Sequence, residues 1–185
     1  PLLFLTVSPA EPKYGRWADH FLHHQQEINR ILASYGLAHS EICVDTHRLS
    51  KDDLVSENGE RRFRAIFLID RIVSGYLSEA DRALIMDSAA SSGMNIIVSD
   101  PEGPMLPYSG LAYTKDSASL FVGSNASDFR VYFGHPYEIY NDMEYRVHSR
   151  DLVARRFALS GALPFMWMDD GKSSFPILTL SLIHI

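Results

Sequence analysis

An α/β fold built on an open, mostly parallel sheet flanked by helices is predicted by three features of the chain. Phe63 to Asp70 and Met94 to Asp100 are short apolar runs, each ending in an aspartate, separated by a helix-length segment that Ser78 opens and Gly93 closes. A strand, a crossover helix and a parallel strand leave this pattern when the sheet is covered on both faces, because such strands have no polar side. Two further runs of the same kind, Leu2 to Val7 and Ser40 to Val44, precede this unit with an amphipathic segment between them. After Pro101-Glu102-Gly103-Pro104 the texture changes to short aromatic or β-branched runs, so the C-terminal half reads as β-rich.

Taken in order, Leu2 to Val7 reads as a buried first strand, ended by the breakers in Ser8-Pro9-Ala10-Glu11-Pro12. Trp17, Phe21, Ile28, Ile31, Leu32 and Tyr35 recur at helical spacing, with Gly36 as a stop, which predicts an amphipathic helix. Ser40 to Val44 is the second strand and is followed by Asp45. Leu49 to Arg62 is polar, contains Asn58-Gly59, and reads as a loop or short helix. Ser78 is a strong N-cap with Glu79 and Asp81 in the first turn, where negative charge favours the helix dipole. In the second half Ser119 to Val122, Phe129 to Phe133 and Glu144 to Val147 read as strands. Leu163 to Met168 and Phe175 to Leu178 flank Asp169-Asp170-Gly171-Lys172, a hairpin turn signal.

Composition narrows the function. With 185 residues, 46% hydrophobic and 22% charged, the chain is globular and long enough for one domain with a core. A net charge of -6 provides no basic footprint, so neither nucleic acid nor an anionic membrane is a predicted partner. No stretch reaches the roughly 20 apolar residues of a membrane span, and Leu2 to Val7 is too short for a signal peptide. The single cysteine, Cys43, excludes an internal disulfide framework and any multi-cysteine metal site.

Candidate site residues come from the strand ends. Ligands of open parallel sheets bind beyond the carboxyl ends of the strands, so Ser8, Asp45, Asp70 and Asp100 are the predicted ligand-binding set, against the plainer reading of aspartate as a turn residue. His20, His23, His24 and Glu27 share a helix but lack the glutamate that follows the first histidine in zinc-protease helices. His24 falls in the apolar stripe, so no metal is predicted there. Neither Val7 nor Ile69 is followed by the glycine-rich turn that phosphates require, and Gly-x-Ser-x-Gly is absent, so no cofactor is predicted.

The order of elements carries a resemblance, together with Phe63-Arg64-Ala65-Ile66-Phe67-Leu68-Ile69, Leu77-Ser78-Glu79, Gly93-Met94-Asn95-Ile96-Ile97-Val98, and Asp170-Gly171-Lys172 leading to Phe175-Pro176-Ile177-Leu178-Thr179. In these segments the chain resembles class I glutamine-amidotransferase-like domains of flavodoxin-like architecture. It is most similar to those attached to polysaccharide deacetylases and other carbohydrate-active proteins. The resemblance spans most of residues 1–179, read as one domain with 1–103 as a βαββαβ core; of the two readings of 104–179, a separate domain or a β-rich elaboration of the same sheet, the second is preferred. It implies a carbohydrate ligand and neighbouring domains of a longer protein as partners.

In active members a cysteine in a glycine-flanked turn pairs with the histidine of a His-Pro-Glu segment. Here Cys43 sits within Glu41-Ile42-Cys43-Val44-Asp45 without a flanking glycine, and His135-Pro136-Tyr137-Glu138 carries an inserted tyrosine. A cysteine inside an apolar strand is expected to be buried and unreactive. Two readings stand: a non-catalytic domain for ligand recognition or domain assembly, and a hydrolase using Cys43 and His135 or the strand-end carboxylates. Leu180 to Ile185 resembles a translated sequencing adaptor and is set aside as a non-native tail. With Pro1 at the start, it leads to the expectation of a fragment that a longer chain would stabilise, its last strand, Phe175 to Leu178, being expected to run parallel.

Overall fold

The computed structural model describes residues 1–8, 18–68, 71–99, 105–113, 120–121, 127–133, 145–149, 153–154, 157–169 and 174–181. The chain divides into two compact units, Pro1–Met105 and Leu106–Ile185.

The first unit runs β1 (Leu2–Thr6), α1 (Ala18–Ser34), β2 (His39–Cys43), α2 (Lys51–Leu54), β3 (Ala65–Leu68), α3 (Arg71–Tyr76), α4 (Glu79–Ser92) and β4 (Asn95–Val98). Its four strands form one parallel sheet in the order β2-β1-β3-β4. The chain leaves β1 for β2 on one side and returns across it to β3, so the strand order reverses at β1. Because β1 has a partner on each side and helices on both faces, its side chains alternate between two cores. Leu3, Leu5 and Val7 point with Ile66 and Leu68 into a cluster closed by Leu54 of α2, Val73 of α3, and Ile85 and Ala89 of α4. Phe4 points the other way, against Leu32, Ile28, Leu2 and Phe67, which places α1 over that face.

Local chemistry explains the helix limits. The Ser78 hydroxyl accepts from the Asp81 amide at 3.1 Å, while the Asp81 carboxylate accepts from the Ser78 amide at 3.0 Å and its hydroxyl at 2.7 Å. This is a closed capping box at the start of α4. At its other end Gly93, at φ 68°, donates to the Ala89 carbonyl.

Several elements differ from the sequence expectation. Among the described side chains of α1, Gln25 and Leu32 are buried, whereas Ile31 is exposed, as is Tyr35, which lies past the last helical residue. Leu49 to Arg62 contains both predicted alternatives, α2 and then a tight turn through Gly59 closed by a Val55–Arg61 bridge. Helix α3 has no counterpart in the sequence reading, because six residues with Ile72, Val73 and Gly75 have poor helix propensity and burial decides their form.

In α3 the hydroxyl of Ser74 is fully buried and has no hydrogen-bond partner among the described residues. An orphaned hydroxyl retains its desolvation cost, and alanine is the better helix former. Ser74→Ala is therefore expected to stabilise the protein by about 1 kcal/mol in urea unfolding. A loss of stability would mean that the hydroxyl is satisfied.

The second unit contains α5, which starts at the unit boundary (Met105–Tyr108), then β5 (Leu111–Tyr113), β6 (Leu120–Phe121), β7 (Ser127–Phe133), β8 (Tyr145–Ser149), β9 (Val153–Ala154), β10 (Phe157–Leu159), β11 (Ala162–Asp169) and β12 (Ser174–Ser181). Strands β12-β11-β7-β8 form an antiparallel sheet, and β10-β5 and β6-β9 form two-stranded pairs. The described strands after residue 104 thus pair among themselves and do not extend the parallel sheet. The last strand is likewise antiparallel, not parallel. It meets β11 from Asp169–Ser174 to Ala162–Ser181, and the Ser174 hydroxyl donates to the Asp169 carboxylate at 3.0 Å. Leu180 and Ser181, set aside as tail, are ladder residues of this hairpin. Among the described residues no helix is long and apolar enough to cross a membrane.

Candidate functional site

The carboxyl edge of the parallel sheet is shaped by the turn that leaves β2. After Cys43, the Val44 amide still donates to the Thr6 carbonyl at 2.9 Å, so the strand pairing persists one residue further. The Thr46 and His47 amides then both donate to the Cys43 carbonyl, at 3.2 and 2.8 Å, and the chain folds back. Within that turn Asp45 accepts from the Ser8 amide at 3.0 Å through Oδ1. This bond brings the ends of neighbouring strands β1 and β2 together, and with them two members of the predicted ligand set. Asp70 and Asp100, the other two, lie outside the described residues, as does His135.

An open cleft of about 410 Å³ lies beside this bond, lined by Val44, Asp45, Thr46, His47, Arg48 and, from the start of α4, Ser78 and Asp81. The volume falls in the range of small-molecule sites. Most of its polar groups are already engaged. Asp45 is tied to Ser8, the Thr46 hydroxyl donates to the Cys43 carbonyl at 3.3 Å, and Ser78 and Asp81 close the capping box. His47 Nε2 lies 3.0 Å from Asp53 Oδ2, the same oxygen that accepts from the Ser50 amide and hydroxyl, both at 2.8 Å. Arg48 alone among the charged lining residues makes no hydrogen bond or ion pair among the described residues.

Burial pushes the Asp53 carboxyl up, but hydrogen bonds from His47 and Ser50, and then the His47 charge, outweigh it and hold the group below the usual carboxylate range. A carboxylate depressed in the folded state adds stability that is present above its unfolded pKa and lost as pH falls through the folded one. On acidification from about pH 5 to about pH 3, the wild type is expected to lose more stability than Asp53→Asn, read as the change in thermal midpoint. Equal slopes for the two proteins would remove Asp53 from the acid response.

Cys43 departs from expectation. It is half-buried, not buried, because it is the last residue of an outer strand and has a sheet neighbour on one side only. Its sulfur is 3.5 Å from the Thr6 hydroxyl. Among the described residues the Thr6 hydroxyl is the hydrogen-bond neighbour of this sulfur, and a hydroxyl is no general base. Of the four helical residues considered for metal, Glu27 is engaged by Arg30 at 2.6 Å and His23 is exposed. The side chains of His20 and His24 lie outside the described residues. Among the described residues no group of three or more histidine, cysteine or acidic side chains could hold a metal ion.

The contribution of Thr46 to Arg48, Ser78 and Asp81 was not predicted as a site. A polar Thr-His-Arg run directly after a strand was the available signal, while Ser78 and Asp81 were legible only as a cap. Comparison with protein-family models, curated proteins and solved structures finds no match to this chain.

Proposed function

We propose that the chain is a non-catalytic amidotransferase-like domain, flavodoxin-like in its core, that belongs to a larger carbohydrate-active protein. Its role is ligand recognition or domain assembly, with the ligand held at the carboxyl edge of the parallel sheet. The observation that carries this reading is the cleft at the carboxyl end of β2, whose Asp45 wall is tied to the end of the neighbouring strand β1 by the Ser8 amide. Recognition is favoured over catalysis by the half-buried Cys43 thiol, whose hydrogen-bond neighbour among the described residues is a hydroxyl and not the base that a cysteine nucleophile needs.

The test is a titration of the isotopically labelled chain with a panel of neutral and acidic mono- and oligosaccharides, followed through backbone amide shifts. Saturable shifts centred on Ser8, Asp45 and Thr46 are expected for at least one member. If every shift falls elsewhere, or none occurs, recognition at this edge is refuted. Glutaminase activity abolished by Cys43→Ala would overturn the non-catalytic reading.

A further inference from the structure

The cleft contains a mismatch between the groups that are engaged and the one that is not. Asp45 and Asp81 each use one carboxylate oxygen on a backbone amide, of Ser8 and Ser78 respectively. Neither carboxylate makes an ion pair with the Arg48 guanidinium, which has no hydrogen-bond or ion-pair partner among the described residues. His47 is turned to Asp53. A guanidinium presents a planar fork of donors that matches a carboxylate in two parallel bonds, and the second oxygens of Asp45 and Asp81 remain as acceptors for hydroxyl groups. We infer that the cleft takes a small hydroxylated carboxylate, its acid group on Arg48 and its hydroxyls on the carboxylates of Asp45 and Asp81.

A simple anion fits less well, because the two aspartates repel it and offer it no donor. A neutral polyol fits less well too, because it offers the guanidinium fork no carboxylate to receive its two parallel bonds. The inference rests on the proposal that the carboxyl edge is the ligand site, and adds the class of ligand.

Glucuronate, glucose and acetate, titrated separately into the 185-residue chain and read by amide shifts at Asp45 to Arg48, test it. Glucuronate is expected to bind at least about tenfold more tightly than either of the others, and Arg48→Gln to remove at least about tenfold of that affinity, the effect of one charge-assisted hydrogen bond. Arg48→Lys, which keeps the charge but not the fork, is expected to fall between. Arg48 is exposed, so the variants retain the fold, and unchanged thermal midpoints check this. Glucose or acetate binding as well as glucuronate, or Arg48→Gln binding unchanged, would overturn the ligand class and leave the site itself standing. Silence at these amides for all three, while another sugar of the wider panel shifts Ser8 and Asp45, also overturns it. Silence for the whole panel instead removes the site.

Discussion

Replacing Phe4 with alanine is expected to destabilise the first unit by about 3–5 kcal/mol, the range found when a buried phenylalanine is truncated. Phe4 lies on β1, between β2 and β3, and is fully buried. Its ring stacks on Phe67 of β3 with centroids 4.8 Å apart and planes 11° from parallel, and meets His39 of β2 edge-on at 5.4 Å and 74°. Removing the ring takes away both aromatic contacts and leaves a void that two paired strands cannot close by moving.

The void would also lie under α1, which reaches the sheet through the small cluster of Phe4, Leu32, Leu2, Ile28 and Phe67. Amide exchange in α1 is therefore expected to quicken more than in α4, whose contacts belong to the opposite core. Chemical unfolding measures the first effect and hydrogen exchange the second. Phe4→Leu, which keeps most of the volume, is expected to recover more than half of the loss. A cost below about 1 kcal/mol for the alanine variant, or equal quickening in both helices, would contradict this division of the core.

Gly110→Ala is expected to destabilise the second unit by about 2–4 kcal/mol, from two sources that add: a left-handed backbone and a close contact. Gly110 has φ +65°, and a Cβ there would stand 2.8 Å from the Ala162 Cβ and 2.9 Å from the Ala162 nitrogen. The nitrogen belongs to the first residue of β11, so it cannot move without disturbing the Ala162–Ser181 pairing. The Ser160 amide donates to the Gly110 carbonyl at 2.7 Å, which prevents the turn from swinging away. Gly93→Ala is the control: φ there is +68° but nothing lies within 4 Å of the added carbon. It is expected to cost about 1 kcal/mol, the backbone share alone. Should both substitutions cost the same, the contact between Gly110 and Ala162 would carry no weight.

Much of the first unit was legible from one-dimensional signals. Ser78, Asp81 and Gly93 mark the ends of α4 because a cap is a local hydrogen-bonding event that depends on residues a few positions apart. Leu2 to Val7 marks a central strand because only a strand covered on both faces can be apolar throughout. The hairpin of β11 and β12 was visible for a similar reason, since turn residues between two apolar runs constrain the chain locally.

What depended on distant parts of the chain was misread or missed. The exposure of Cys43 follows from β2 lying at the outside of the sheet, and strand order is not written in the composition of a strand. Helix α3 forms from residues of weak helix propensity because Val73 and Ser74 are buried, so packing overrides local preference there.

The division is sharpest at the candidate site. That Asp45 ends a strand is a property of its own neighbourhood, and the sequence is enough to establish it. That its carboxylate meets the Ser8 amide, 37 positions away, in a cleft lined also by the start of α4, where Arg48 has no partner among the described residues, is decided by tertiary structure. Hydrogen bonds between strand ends are set by which strands lie side by side and in what register, and these follow from the burial of two cores together.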